Sequence, residues 1–118
     1  MAVVTGAGGH LGGNLIRALL AEGQKVRAID LRWTRALHGL DLDWCPVDLR
    51  EPASIRDALA GADVVYHLAA VISITGDPEG RVWSTNVGGV ANLAEAALEC
   101  GVRRVVHCSS VHAFDIEL

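Results

Sequence analysis

The eight residues Thr5-Gly6-Ala7-Gly8-Gly9-His10-Leu11-Gly12 contain four glycines, set between a short apolar run at 2–5 and a stretch whose apolar positions recur at helical spacing. A glycine-rich turn that leaves a strand and opens a helix brings backbone N–H groups against the diphosphate of a dinucleotide, and the helix dipole adds positive potential there. The spacing narrows the reading. As G-x-G-x-x-G from Gly6 the third position falls on Leu11, whereas as G-x-x-G-x-x-G positions 6, 9 and 12 all fit. Gly6 would then permit the tight turn, Gly9 would admit the diphosphate where a Cβ would intrude, and Gly12 would let the helix lie close to the sheet. His10 and Leu11, at the helix start, would turn free N–H groups to the phosphates. In an arbitrary α/β protein the same glycines are only a flexible turn; the strand before them and the helix after them favour binding.

Asp30 stands 21 residues after Gly9, at the end of a second apolar run. That is close to the offset of about 20 residues at which an acidic side chain meets the adenosine ribose. A carboxylate there accepts hydrogen bonds from the 2′- and 3′-hydroxyls and repels a 2′-phosphate, which favours NAD over NADP. Arg32 and Arg35 keep NADP open, because either guanidinium could neutralise a 2′-phosphate.

These residues need a scaffold, and the apolar periodicity supplies one. The run 2–5 is a strand, and Leu11, Leu15, Ile16, Leu19 and Leu20 mark a helix that stops at Gly23. A second strand covers 25–30 and a polar, Trp- and Arg-containing stretch follows to about Asp41. A third strand covers 44–47, Pro52 opens a short helix closed at Gly61, and 63–68 is the most strand-like run of all. A loop through Gly76-Asp77-Pro78-Glu79-Gly80 leads to a long helix over 81–100, and 102–108 is the fifth strand, entering Ser109 and Ser110. Strands alternating with helices predict a doubly wound α/β fold, with one parallel five-stranded sheet between two helix layers.

Taken together, the glycines at 6, 9 and 12, Asp30, Asp48-Leu49-Arg50, His67-Leu68-Ala69-Ala70, Asn86-Val87-x-Gly89 and Ser109-Ser110 resemble the extended short-chain dehydrogenase/reductase family. That group includes epimerases and dehydratases, dihydroflavonol reductases and 3β-hydroxysteroid dehydrogenases. The resemblance runs over nearly the whole chain and implies a Rossmann fold with a bound NAD, NADP being the less favoured cofactor. It implies that Asp48 meets the adenine amino group, that the Leu49 backbone meets the adenine ring, and that Leu68, Ala69 and Ala70 line the cofactor path. Asn86 would tie the long helix to the neighbouring strand. Ser110 aligns with the family's catalytic serine, whose hydroxyl bonds the reacting carbonyl or alcohol oxygen; Ser109 is the near alternative. Ser73 and Thr75 lie where such enzymes shape the substrate end. The substrate would be a sugar nucleotide or a small hydroxy or keto compound. A non-catalytic dinucleotide-sensing protein of the same superfamily is the alternative.

The chemistry of that family rests on Ser with a Tyr-x-x-x-Lys pair, in which the ammonium lowers the phenol pKa for proton exchange with the substrate. Here the single tyrosine, Tyr66, and the single lysine, Lys25, are 41 positions apart, and the residue four after Tyr66 is Ala70. The chain is therefore expected to be the cofactor-binding N-terminal part of a longer enzyme, truncated after strand five, and to turn over nothing alone. With strand five as an edge, apolar surface would be left open, and a homodimer through helix 81–100 is expected.

Composition sets the remaining limits. Of 118 residues, 51% are hydrophobic and 20% charged, which suits one domain with its own core. A formal charge of −4 with scattered basic residues points to neither nucleic acid nor a membrane surface. Cys45, Cys100 and Cys108 form no CxxC pair and read as reduced, mostly buried thiols in a cytoplasmic protein. The five histidines offer no i, i+4 pair, so no metal is expected, and His67 and His107 are expected to pack at strand positions.

Overall fold

In a computed structural model the structure describes residues 1–114. Strand β1 (Ala2–Thr5) is followed by helix α1 (His10–Ala21), β2 (Val26–Asp30), β3 (Asp43–Pro46), α2 (Pro52–Leu59) and β4 (Val64–His67). Then come α3 (Arg81–Trp83), a π turn at Ser84–Gly88, α4 (Gly89–Glu99) and β5 (Arg104–His107). All strands pair in parallel in the order β3-β2-β1-β4-β5. The order reverses beside β1, and this is where open sheets of this kind gather ligands at the carboxyl ends of their strands.

The sheet is buried on both faces at its centre, which is why β1 is wholly apolar apart from Thr5. Val3, Ile29 and Val65 pack against Ile55 and Leu59 of α2 and Leu93, Ala96 and Ala97 of α4. Val4, Val26 and Ala28 turn the other way, onto Ile16 and Leu19 of α1. The three-layer arrangement thus follows from the period-two alternation of the strands and the apolar stripes of the helices. Arg27 joins the layers: its guanidinium donates to Asp43 Oδ2 at 2.7 Å and to the carbonyls of Ala58 and Ala60 at 2.7 and 3.0 Å, covering carbonyls left over at the end of α2.

Four expectations are revised. The long helix is not uniform, because its second turn is a π turn centred on Asn86, whose side chain makes two hydrogen bonds outside the helix. The fifth strand is shorter than 102–108: the Val102 N–H is taken by Ala97 O, and those of Arg103 and Arg104 by Asp63 O. The polar stretch after β2 contains a 3-10 turn, Arg35–Leu37, that places Leu37 in the core, held by an Arg17 guanidinium bond of 2.8 Å to Ala36 O. Cys45 and Cys100 are half-buried but Cys108 is exposed; all three are free. At the sheet edge every β5 side chain is exposed, with Val105 and Val106 at 41% and 42%.

Candidate functional site

Two adjoining cavities open over the carboxyl ends of the strands. The first, of about 350 Å³, is walled by the glycine turn, the ends of β2 and β3, the segment after β4 and the start of α3. Gly6, Gly9, His10, Leu11, Gly12, Asp30, Asp48, Leu49, Leu68, Ala69 and Ala70 all line it. Arg32 does not: it is exposed beyond the turn at Leu31, whose N–H is bound back to Asp30 Oδ1 at 2.7 Å. Asn86 is also absent from this wall. It pins the π turn to the segment after β4, accepting from the Val71 N–H at 2.7 Å and donating to Val71 O at 2.9 Å.

The glycines have separate geometric jobs. Gly6 has φ +66, and a Cβ there would lie 2.8 Å from the Ala69 nitrogen. A Cβ on Gly12 would lie 2.2 Å from Gly6 O, so the helix could not approach the turn. A Cβ on Gly9 would meet only Gly6 O, at 3.3 Å, and would otherwise project into the space above the turn. Gly8 is a fourth constrained position: its N–H donates to Asp30 Oδ2 at 2.9 Å, its carbonyl accepts from the Thr34 hydroxyl at 2.8 Å, and a Cβ would strike Thr34. No side chain caps α1 and no acidic residue occupies its first turn. The first N–H groups of that helix therefore face the cavity without an intrahelical partner, in a backbone cradle with room for a diphosphate. The residues present fit a dinucleotide.

Beside the end of β3, the Arg50 guanidinium grips the Asp48 carboxylate, with bonds of 3.0 and 2.6 Å to its two oxygens, and holds it below the usual carboxylate range. Asp48 thus faces the cleft as half of an ion pair rather than as a lone acceptor.

Thr5, unremarked in the sequence beyond its place before the glycines, is the hub between β1 and β4. Its hydroxyl oxygen accepts the Leu68 and Ala69 N–H groups at 3.1 and 3.2 Å, so its proton goes to His67 Nδ1, 2.7 Å away. The His67 ring then carries its own proton on Nε2, which is buried without a partner. His107 stacks on this ring at 5.4 Å between centroids; contrary to expectation it is exposed rather than packed, because nothing among the described residues covers β5. Burial and the neighbouring His107 push His67 down to about 4 from 6.5. The unfolded chain takes up this proton below about pH 6.5 and the folded chain only near pH 4, so the contribution is intact above pH 6.5 and is lost as the pH falls toward 4. The expected loss over that window is about 3 kcal/mol. Urea midpoints of the wild type and His67→Asn between pH 7 and 4.5 check it; parallel pH slopes would refute it.

The second cavity, of about 660 Å³, shares Ala69, Ala70, Val71 and Ile72 with the first and continues toward β5. Ser109, Ser110, Ser73, Asn86 and His112 line it, together with Ile74, Val82, Val87 and Val90. Ser110 Oγ accepts the His112 N–H at 3.2 Å. Thr75 is outside the wall; the Ser73 hydroxyl is turned to Gly76 O at 2.7 Å. Tyr66 packs on the α1 face of the sheet, and Lys25 precedes β2 at its amino end, so neither approaches Ser110 beyond the carboxyl end of β5. Among the described residues no group of three His, Cys, Asp or Glu side chains is placed to hold a metal ion, and no helix is long and apolar enough to cross a membrane.

Residues 2–116 match the model of the NAD dependent epimerase/dehydratase family. The chain belongs to that family. It is 49% identical over 116 residues to sterol demethylase protein B of Methylococcus capsulatus, covering 97% of this chain and 35% of that protein. It is 33% identical to a putative dihydroflavonol 4-reductase of Synechocystis, covering 97% of this chain and 34% of that one. Among solved structures, a short-chain dehydrogenase/reductase superfamily protein from Agrobacterium tumefaciens with bound NAD superposes with a TM-score of 0.83 at 34% identity, covering 93% of this chain and 32% of that one. MoeE5 in complex with UDP-glucose and NAD superposes at 0.82 with 31% identity, covering 93% and 36%. This epimerase/dehydratase chain therefore spans about a third of the length of the relatives it matches.

Proposed function

We propose that these residues form the NAD-binding part of an oxidoreductase that transfers hydride to or from a hydroxy or keto substrate. The observation that carries this reading is that the two cavities adjoin, with the glycine cradle and Asp30 in one, Ser110 in the other, and Ala69 to Ile72 in the wall of both. The Gly9 turn and the start of α1 would bind the diphosphate, Asp30 the adenosine ribose, and Asp48 with Leu49 the adenine. Bound NAD supplies a nicotinamide that accepts or donates the hydride. The small side chains of Ala69 and Ala70, which line both cavities, would leave room for that ring beside the end of β4. There Ser110 Oγ, already accepting the His112 N–H, keeps its own proton to donate to the substrate oxygen, and the accepted bond polarises it toward donation. The Tyr-x-x-x-Lys pair of the full reaction would come from outside these residues.

A substrate with an apolar framework suits the second cavity better than a sugar nucleotide does. Among the described residues its wall carries histidines but no Asp, Glu, Lys or Arg side chain, and Ile72 and Ile74 at its lip are 92% and 98% exposed, an apolar surface open to cover. The 49% identity to a sterol demethylase component favours the same choice. Two copies would pair through the 81–100 stretch, a reading supported by the exposure of Leu98 on it.

Fluorescence titration of NADH against the 118-residue chain tests the cofactor assignment. Saturable enhancement is expected, and its absence at millimolar cofactor would overturn the reading.

A further inference from the structure

Two guanidinium groups stand in the wall of the cofactor cleft, and they differ in what they are bonded to. Arg50 is occupied, gripping Asp48 through both carboxylate oxygens. Arg81 has no side-chain hydrogen bond or ion pair among the described residues. The backbone that carries it is nonetheless fixed: Asp77 accepts the N–H groups of Val82 and Trp83, each at 2.9 Å, and Asn86 anchors the next turn to Val71. Among the described residues the acidic side chains in the wall are Asp30, which accepts the Gly8 and Leu31 N–H groups, and Asp48, which Arg50 grips; neither is hydrogen-bonded or ion-paired to Arg81.

The placement of this spare cation is informative. Helix α1 packs on one face of the sheet and α4, which continues from α3, on the other. The uncapped start of α1 and the Arg81 side chain therefore border the cleft from opposite faces, with the ends of β1 and β4 between them. The charge of Arg81 also reaches Asp48, whose carboxyl it helps to hold down. A guanidinium standing in water loses little by waiting there, and it gains charge-assisted, bidentate bonds once an anion enters.

We propose that Arg81 is a cofactor-binding residue that closes on the dinucleotide diphosphate from the face opposite the glycine turn. The inference rests on the reading of the cleft as a dinucleotide site and adds a residue that no sequence motif marks. Helix N–H groups hold the phosphates on one side; Arg81 neutralises them on the other.

Wild type, Arg81→Gln and Arg81→Lys are titrated with NADH and ADP-ribose by fluorescence and competition, and with adenosine by ligand-observed NMR, at low and high salt. Arg81 is exposed and bonds no other side chain among the described residues, so urea midpoints should be equal across the three proteins. Arg81→Gln should weaken NADH and ADP-ribose about tenfold, the size of one charge-assisted contact, with Arg81→Lys in between. Adenosine binding should be unchanged, and the salt dependence of NADH binding should flatten in the Gln variant. Equal NADH affinity in wild type and Arg81→Gln would overturn the proposal, as would an equal loss for adenosine, which would put the guanidinium on the base instead. A wild-type chain that binds none of the three ligands would overturn the cofactor reading itself, and the proposal with it.

Discussion

Gly12→Ala should cost the fold about 3 kcal/mol, the upper part of the range for forced overpacking, and with it most NADH binding. The added methyl would stand 2.2 Å from Gly6 O and 2.9 Å from Ala7 Cα. Both are backbone atoms, so neither can swing aside. The turn they belong to is itself held, by Gly9 N–H to Gly6 O at 3.1 Å and Ala7 N–H to Ile29 O at 3.2 Å. Relief would need α1 to lift from the sheet, pulling Ile16 and Leu19 out of contact with Val4 and Ala28. Gly9→Ala is the informative companion, since its Cβ meets only Gly6 O at 3.3 Å and otherwise occupies the ligand's space. Urea denaturation with parallel NADH titration separates the two: Gly12→Ala should lose stability, and Gly9→Ala should keep most of its stability and lose binding. A Gly12→Ala chain with the wild-type midpoint would refute the close helix-to-turn contact.

Asp30→Asn should weaken NADH about 30-fold and NADPH much less, the loss expected when charge-assisted bonds to the two ribose hydroxyls become ordinary ones. In the structure one Asp30 oxygen takes the Gly8 N–H at 2.9 Å and the other the Leu31 N–H at 2.7 Å. The carboxylate is thereby fixed toward the cleft with lone pairs to spare, and among the described residues no side chain pairs with its charge. For NADPH the same substitution removes a repulsion along with a hydrogen bond, and the two changes offset. Asn retains one acceptor for the Gly8 N–H, so the turn survives where Ala would release it. Fluorescence titration of both cofactors measures the ratio, and an unchanged NADH-to-NADPH preference would remove Asp30 from the ribose.

Much of this site was readable before folding because its signals are local. The glycines and the α1 stripe lie within one strand–turn–helix unit, and Asp30 follows at the distance one helix and one strand impose. The elements themselves were legible from alternation in the strands and from Ile16, Leu19, Leu93 and Ala96 at helical spacing. Leu37 was not, since an isolated leucine among Arg, Thr and His carries no period; only the 3-10 turn, held by Arg17, delivers it to the core. The π turn escaped for a related reason, its cause being the bonds from Asn86 to Val71, fifteen residues earlier.

Sequence alone determined the order of the elements, the glycine-rich turn, the acidic residue after the second strand and the lack of a neighbouring Tyr and Lys, because each depends on residue type at short spacing. Tertiary structure decided which of those residues share a wall. Placing β1 between β2 and β4 brings Thr5 to Ala69 and Gly6 to the same backbone, contacts across more than sixty residues that no periodicity encodes. It also sorted the arginines: Arg32, beside Asp30 in sequence, lies outside the cleft, whereas Arg81, carried on the opposite face, stands in its wall. Strand order sets such distances, and strand order is fixed by burial of the whole sheet rather than by any one segment.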